Sequence, residues 1–89
     1  MTTVVNLTHD KYDVFIGRPS IFGNPFKITL AVDRDTVINK YREYFYNRIE
    51  RDEAFKNRVI LECTGRRLGC YCHPQACHGD IIAEWLNSR

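Results

Sequence analysis

Leu68-Gly69-Cys70-Tyr71-Cys72-His73-Pro74-Gln75-Ala76-Cys77-His78-Gly79-Asp80 sets the architecture, because it holds a strand, a break and a helix start in one run. Leu68 to Cys72 reads as a strand, with Cys70 and Cys72 on one face and Tyr71 on the other. Pro74 ends it and opens a loop. Beyond the loop, Ile81, Ile82, Trp85 and Leu86 recur at helical spacing, so a final helix begins near His78. A strand feeding a loop at a helix start is the unit from which α/β domains are built.

Working outward, Val37, Ile38, Tyr41, Tyr44, Phe45 and Ile49 predict a helix over 34–49, with Asp33 or Asp35 as N-cap. A second helix starts near Asp52 and turns Phe55, Val59, Ile60 and Cys63 inward; Gly65 stands where a left-handed residue closes a helix. At the other end, Val4 to Leu7 reads as a short strand and Tyr12 to Gly17 as a second, its hairpin partner across the polar turn Thr8 to Lys11. Residues 18–25 form an ordered loop anchored by Ile21 and Phe22, and Phe26, Ile28 and Leu30 alternate like a third extended piece. The order is β-β-(β)-α-α-β-α. The expected fold is α/β, a single compact domain over 1–89 with a small mixed sheet and three helices.

Composition narrows the function classes. Eighty-nine residues, 44% hydrophobic and 27% charged, suit one globular unit and exclude disorder or a fibrous repeat. A chain this short buries only about 60–65% of its unfolded surface, so a bound ion, ligand or second subunit in a homo-oligomer would supplement its core. Net charge is +2, short of the basic excess of a duplex-DNA binder. The N-terminus lacks a signal-peptide pattern and no window is long and apolar enough for a membrane helix, so the expectation is a cytoplasmic protein without a membrane partner. In a reducing compartment its four cysteines are thiols, metal ligands or reactive groups rather than disulfides.

Three thiols and two imidazoles fall between Cys70 and His78, and three readings apply. They are buried apolar thiols beside a satisfied histidine. They are a zinc site of Cys70, Cys72, Cys77 and His78, although Cys-x-Cys followed by an adjacent Cys-His departs from usual zinc spacings. Or they form a reactive, anion-binding site at a helix N-terminus, with Cys72 or Cys77 as an activated thiol and His78 as its base; that thiol would outreact Cys63. A second cluster, Gly17-Arg18-Pro19-Ser20-Ile21-Phe22-Gly23-Asn24-Pro25-Phe26, supplies a fixed cation and an amide, Arg18 to hold phosphate or carboxylate and Asn24 to meet a base edge or carbonyl. The alternative is that Asn24-Pro25 starts a turn while Phe22 and Phe26 plug the core.

With both segments in view, the chain resembles an uncharacterised family of small phage and bacterial proteins known as a domain of unknown function. The marks are Val5-Asn6, Tyr12 to Arg18, Phe22-Gly23-Asn24-Pro25-Phe26, and Leu68 to Cys72 with Pro74, Cys77, His78, Gly79 and Asp80. The resemblance implies a protein of the host cytoplasm, often phage-encoded, and brings no activity with it. From the residues, the expected function is a pocket for a phosphorylated or nucleotide-like small molecule contacted by Asn6, Arg18, Asn24, His78 and Asp80, with the last helix N-terminus as anion cradle. The rival is a zinc-stabilised, non-catalytic module that binds a host protein or nucleic acid.

Overall fold

The computed structural model describes residues 1–89. Three strands, β1 (Thr3–Asn6), β2 (Val14–Phe15) and β3 (Arg67–Cys70), form a sheet of order β1-β3-β2, and three helices, α1 (Arg34–Arg51), α2 (Glu53–Cys63) and α3 (His78–Asn87), pack around it. The α/β class and the three helices are those expected from the sequence.

The hairpin is not. β1 and β2 never pair; each runs parallel to β3, so that Val4 and Val14 flank Leu68 while Val5 and Phe15 flank Gly69. Two parallel neighbours in the chain require a crossover. Here it is short: Leu7 N–H donates to Cys70 O, Asp13 N–H donates to Arg67 O, and the chain between returns from one end of β3 to the other. Gly69 makes room for it. A Cβ at that position would lie 2.7 Å from the Tyr12 ring. The Asp13 carboxylate then locks the crossover to Arg67, accepting from its backbone N–H at 2.8 Å and from its guanidinium at 3.1 Å; those contacts hold the carboxyl down at about 2.

The helices begin where the sequence offers short acidic caps. Asp33 Oδ1 accepts from Thr36 N–H, and Asp52 both receives the end of α1, donating its N–H to Arg48 O, and caps α2 by accepting from Phe55 N–H. One residue therefore turns the chain between two helices, and α1 runs past Ile49 to Arg51. The stripe Val37, Tyr41, Phe45 and Ile49 of α1 and Phe55, Val59 and Cys63 of α2 are buried at i, i+4 spacing. Gly65 ends α2 with φ +69°, a left-handed turn open to glycine. Phe26, Ile28 and Leu30, expected as an extended piece, form no strand: neither sheet edge reaches them, and Ile28 and Leu30 stand exposed.

Candidate functional site

A cleft of about 440 Å³ opens at the carboxyl ends of β2 and β3, which are neighbours. Its walls are the loop after β2 (Gly17, Arg18, Asn24, Phe26), the start of α1 (Arg34, Val37, Ile38) and the segment from Cys70 to His78. Both sequence clusters therefore meet there.

The loop after β2 is held by local turns and by one plug. Ser20 N–H donates to Gly17 O at 2.8 Å, Gly23 N–H to Ser20 O at 2.9 Å, and the Asn24 side-chain oxygen accepts from Phe26 N–H at 2.9 Å. Phe22 is buried against Phe55, and its carbonyl accepts the Tyr41 hydroxyl at 3.2 Å. These contacts set out Arg18 over the cleft, where its guanidinium meets only Asn24 O at 3.4 Å. Two further cations, Lys27 and Arg34, line the same space, and no carboxylate does. Arg34 donates to Ala76 O at 3.1 Å and to Gln75 Oε1 at 3.0 Å, tying α1 to the loop before α3.

His78 joins the two walls. Its Nε2 lies 2.7 Å from Ile16 O, so the proton resides on Nε2 and is donated to that carbonyl, while Nδ1 presents its lone pair 3.6 Å from Cys77 Sγ. The ring packs edge-on to Tyr41. Burial pushes its pKa below the usual imidazole value. The unfolded chain thus binds a proton that the folded chain refuses, so stability is complete above the unfolded value of about 6.5 and is lost as pH falls below it. We expect the urea midpoint to drop between about pH 7 and pH 5.5, and to drop less in His78→Gln, whose amide can still donate to Ile16 O. An equal drop in both proteins would assign the effect to other groups.

The thiols divide by environment. Cys63 lies buried on α2, outside the cleft, with its pKa pushed up to about 12 by burial. Cys70, Cys72 and Cys77 line the cleft. Cys70 is drawn below the usual thiol value by the neighbouring Cys77 thiol and by the N–H groups of His73 and Cys72, against the opposing effect of burial. Cys77 moves the other way, held up by its neighbour Cys70 and by its own burial.

The remaining expected residues have structural partners. Asn6 lies outside the cleft lining; its Nδ2 donates to His73 O at 2.8 Å and its Oδ1 accepts from Thr8, so it latches the loop after β3 to β1. Asp80 completes a capping box, accepting from Cys77 N–H at 3.0 Å while Cys77 Sγ accepts from Gly79 N–H at 3.3 Å. The Cys77, Gly79 and Asp80 amides at the start of α3 are thus met from within the chain, and side chains supply the positive lining of the cleft. No three His, Cys, Asp or Glu side chains converge as a metal-holding group. Lys27 and Arg34 are the cleft residues that sequence reasoning misses. A signal for Arg34 exists: it is a cation in the first turn of a helix, where the dipole favours acids.

The family described as Domain of unknown function (DUF4326) matches residues 4–88. The chain belongs to this family. DUF4326 is consistent with the small phage-type group expected from the two motifs, and the match takes in both walls of the cleft. The chain is also similar to the "Uncharacterized 12.4 kDa protein in nrdA-td intergenic region" of Enterobacteria phage T4, 38% identical over 84 residues that cover 94% of this chain and 76% of the phage protein. No solved structure matches it. No helix is long and apolar enough to cross a membrane.

Proposed function

We propose that this DUF4326 chain binds a small phosphorylated molecule of the nucleotide class in the cleft between the loop after β2 and the segment from Cys70 to His78. The observation that carries the reading is the charge of the lining: Arg18, Lys27 and Arg34 converge on one concavity with no carboxylate to neutralise them. The cleft sits outside the carboxyl ends of adjacent parallel strands, the usual place for ligands of α/β sheets, and its volume falls in the range of small-molecule sites. Arg18 is the phosphate partner, since its guanidinium fork is engaged only weakly by Asn24 O. The exposed ring of Tyr71 and the side chains of Phe26 and Ile28 supply apolar surface for a base, and with Asn24 Oδ1 engaged by Phe26 N–H the Asn24 amide nitrogen is the group left to donate to its edge.

Thermal-shift titration with inorganic phosphate, pyrophosphate, nucleosides and their mono-, di- and triphosphates tests this. Phosphorylated members are expected to raise the melting temperature and bare nucleosides to do so weakly or not at all. Arg18→Ala is expected to weaken the best ligand about tenfold to a hundredfold, the value of a charge-assisted hydrogen bond. A wild-type protein that no member of the panel stabilises, or a variant stabilised as strongly as the wild type, would overturn the reading.

A further inference from the structure

We infer that the sheet face turned away from the core is a stacking platform for the bases of single-stranded nucleic acid, whose backbone runs into the cleft. The inference rests on the phosphate-binding reading of the cleft and extends it from a free nucleotide to a strand of them.

Side chains alternate across a strand, so the register sorts the residues of the sheet between its two faces. Val4, Leu68 and Val14 stand in line on one face and meet the core, with α3 against them: a Cβ on Gly79 would lie 2.5 Å from Ile16 and 3.2 Å from Val4. Val5, Gly69 and Phe15 stand in line on the other face, and the core cluster takes in none of Val5, Phe15, Tyr12 and Tyr71. Rings cover this second face. Tyr12 lies over Gly69, where a Cβ would come within 2.7 Å of its ring, and Phe15 lies over Gly17, where one would come within 2.5 Å. Tyr71, two residues beyond Gly69, meets Phe15 edge-on at 6.4 Å. The glycines let Tyr12 and Phe15 settle onto the backbone, and Phe15 buttresses Tyr71. The two tyrosines remain 44% and 66% exposed, so their rings are open to a flat partner.

The charge beside the rings selects the partner. Tyr71 and Gly17 line the cleft together with Arg18, Lys27 and Arg34, so platform and cations are continuous through shared residues. Asp13, the carboxylate just before β2, is committed to Arg67 and leaves the cations unopposed. An apolar peptide has no anion for the cleft, and an acidic peptide has no flat ring for the tyrosines. A nucleic-acid duplex has the phosphates but keeps its base faces inside the stack. A single strand presents both, with phosphates for Arg18 and its neighbours and base faces for Tyr71 and then Tyr12. The modest net charge of +2 suffices, because a strand of a few nucleotides meets only the local cations.

Fluorescence anisotropy of the full chain with labelled single-stranded DNA and RNA, from dinucleotide to octanucleotide, and with the octanucleotide's duplex, tests this. Affinity is expected to climb over the first few nucleotides and then level, and the single strand to bind about tenfold or more tighter than the duplex. The logarithm of the affinity should fall with the logarithm of salt at a slope of about −2, about −0.7 for each of the three cations, and Arg18→Ala should reduce the slope by about 0.7. Tyr12 decides between platform and cleft, because it lies outside the cleft lining. Tyr12→Leu, which still covers Gly69 but offers no ring, is expected to weaken the octanucleotide about fivefold to a hundredfold and leave a mononucleotide unaffected, while Tyr12→Phe binds as the wild type does. A duplex bound as well as the strand, or a Tyr12→Leu variant that binds the octanucleotide unchanged, would overturn the inference. Mononucleotides that bind while strands bind no tighter would overturn the platform and leave the cleft reading standing. Failure of strands and mononucleotides alike would remove both.

Discussion

Phe45→Ala is expected to destabilise the protein by about 3–5 kcal/mol, the range for removing a buried phenylalanine ring. Phe45 is inaccessible to solvent and stands where the three helices meet. It stacks on Tyr41 at 5.9 Å and makes edge contacts with Tyr46 in α1, Phe55 in α2 and Trp85 in α3. Four rings would lose a partner, and none can follow the retreating side chain without leaving its own helix stripe. A domain of this length has about 5–13 kcal/mol of stability in all, so the variant should lose a large fraction of it. Urea unfolding followed by circular dichroism checks this. A midpoint shift worth less than about 1 kcal/mol would mean that the aromatic cluster rearranges to fill the cavity.

Leu68→Ala should cost about 2–5 kcal/mol, by a different route. Leu68 is buried in the central strand, and both flanking strands register on it, Val4 from one side and Val14 from the other. Its removal loosens the only strand that holds the other two. Hydrogen exchange distinguishes the two variants: Phe45→Ala should raise exchange across the helices, whereas Leu68→Ala should raise it first in the backbone bonds from β1 and β2 to β3. Protection lost evenly everywhere in Leu68→Ala would show that sheet and helices unfold as one unit.

The helices are legible in the sequence because their signals are local. Spacings of three and four, a cap at Asp33 or Asp35 and a helix start near Asp52 predict them to within two residues, and the extension of α1 to Arg51 follows from Asp52 serving both ends. The sheet is less so. Two short apolar runs flanking a polar turn look the same whether they pair with each other or with a third strand, and the deciding fact is Gly69, whose missing side chain lets Tyr12 cross the sheet. A glycine inside a strand is a sequence-level mark of close approach, so the signal exists. In the cleft, Arg18, Asn24, Cys70, Cys72, Cys77 and His78 are legible as two clusters, but Lys27 and Arg34 fall between them. Which of these side chains share the cleft is not legible in full, since it depends on how the loop from Tyr71 to Ala76 returns toward β3.

The sheet order has a consequence for the order of events in folding. Every strand pairing involves β3, whose partners in β1 lie more than sixty positions earlier in the chain. As the chain leaves the ribosome, β1 and β2 emerge with nothing to pair with, while α1 and α2, whose contacts are close in sequence, can already associate. Both N-terminal segments must wait, extended and partly apolar, until residues beyond Arg67 appear, and the sheet then closes from two sides upon a single late strand. The cleft walls come together in that same event, because one wall follows β2 and the other follows β3.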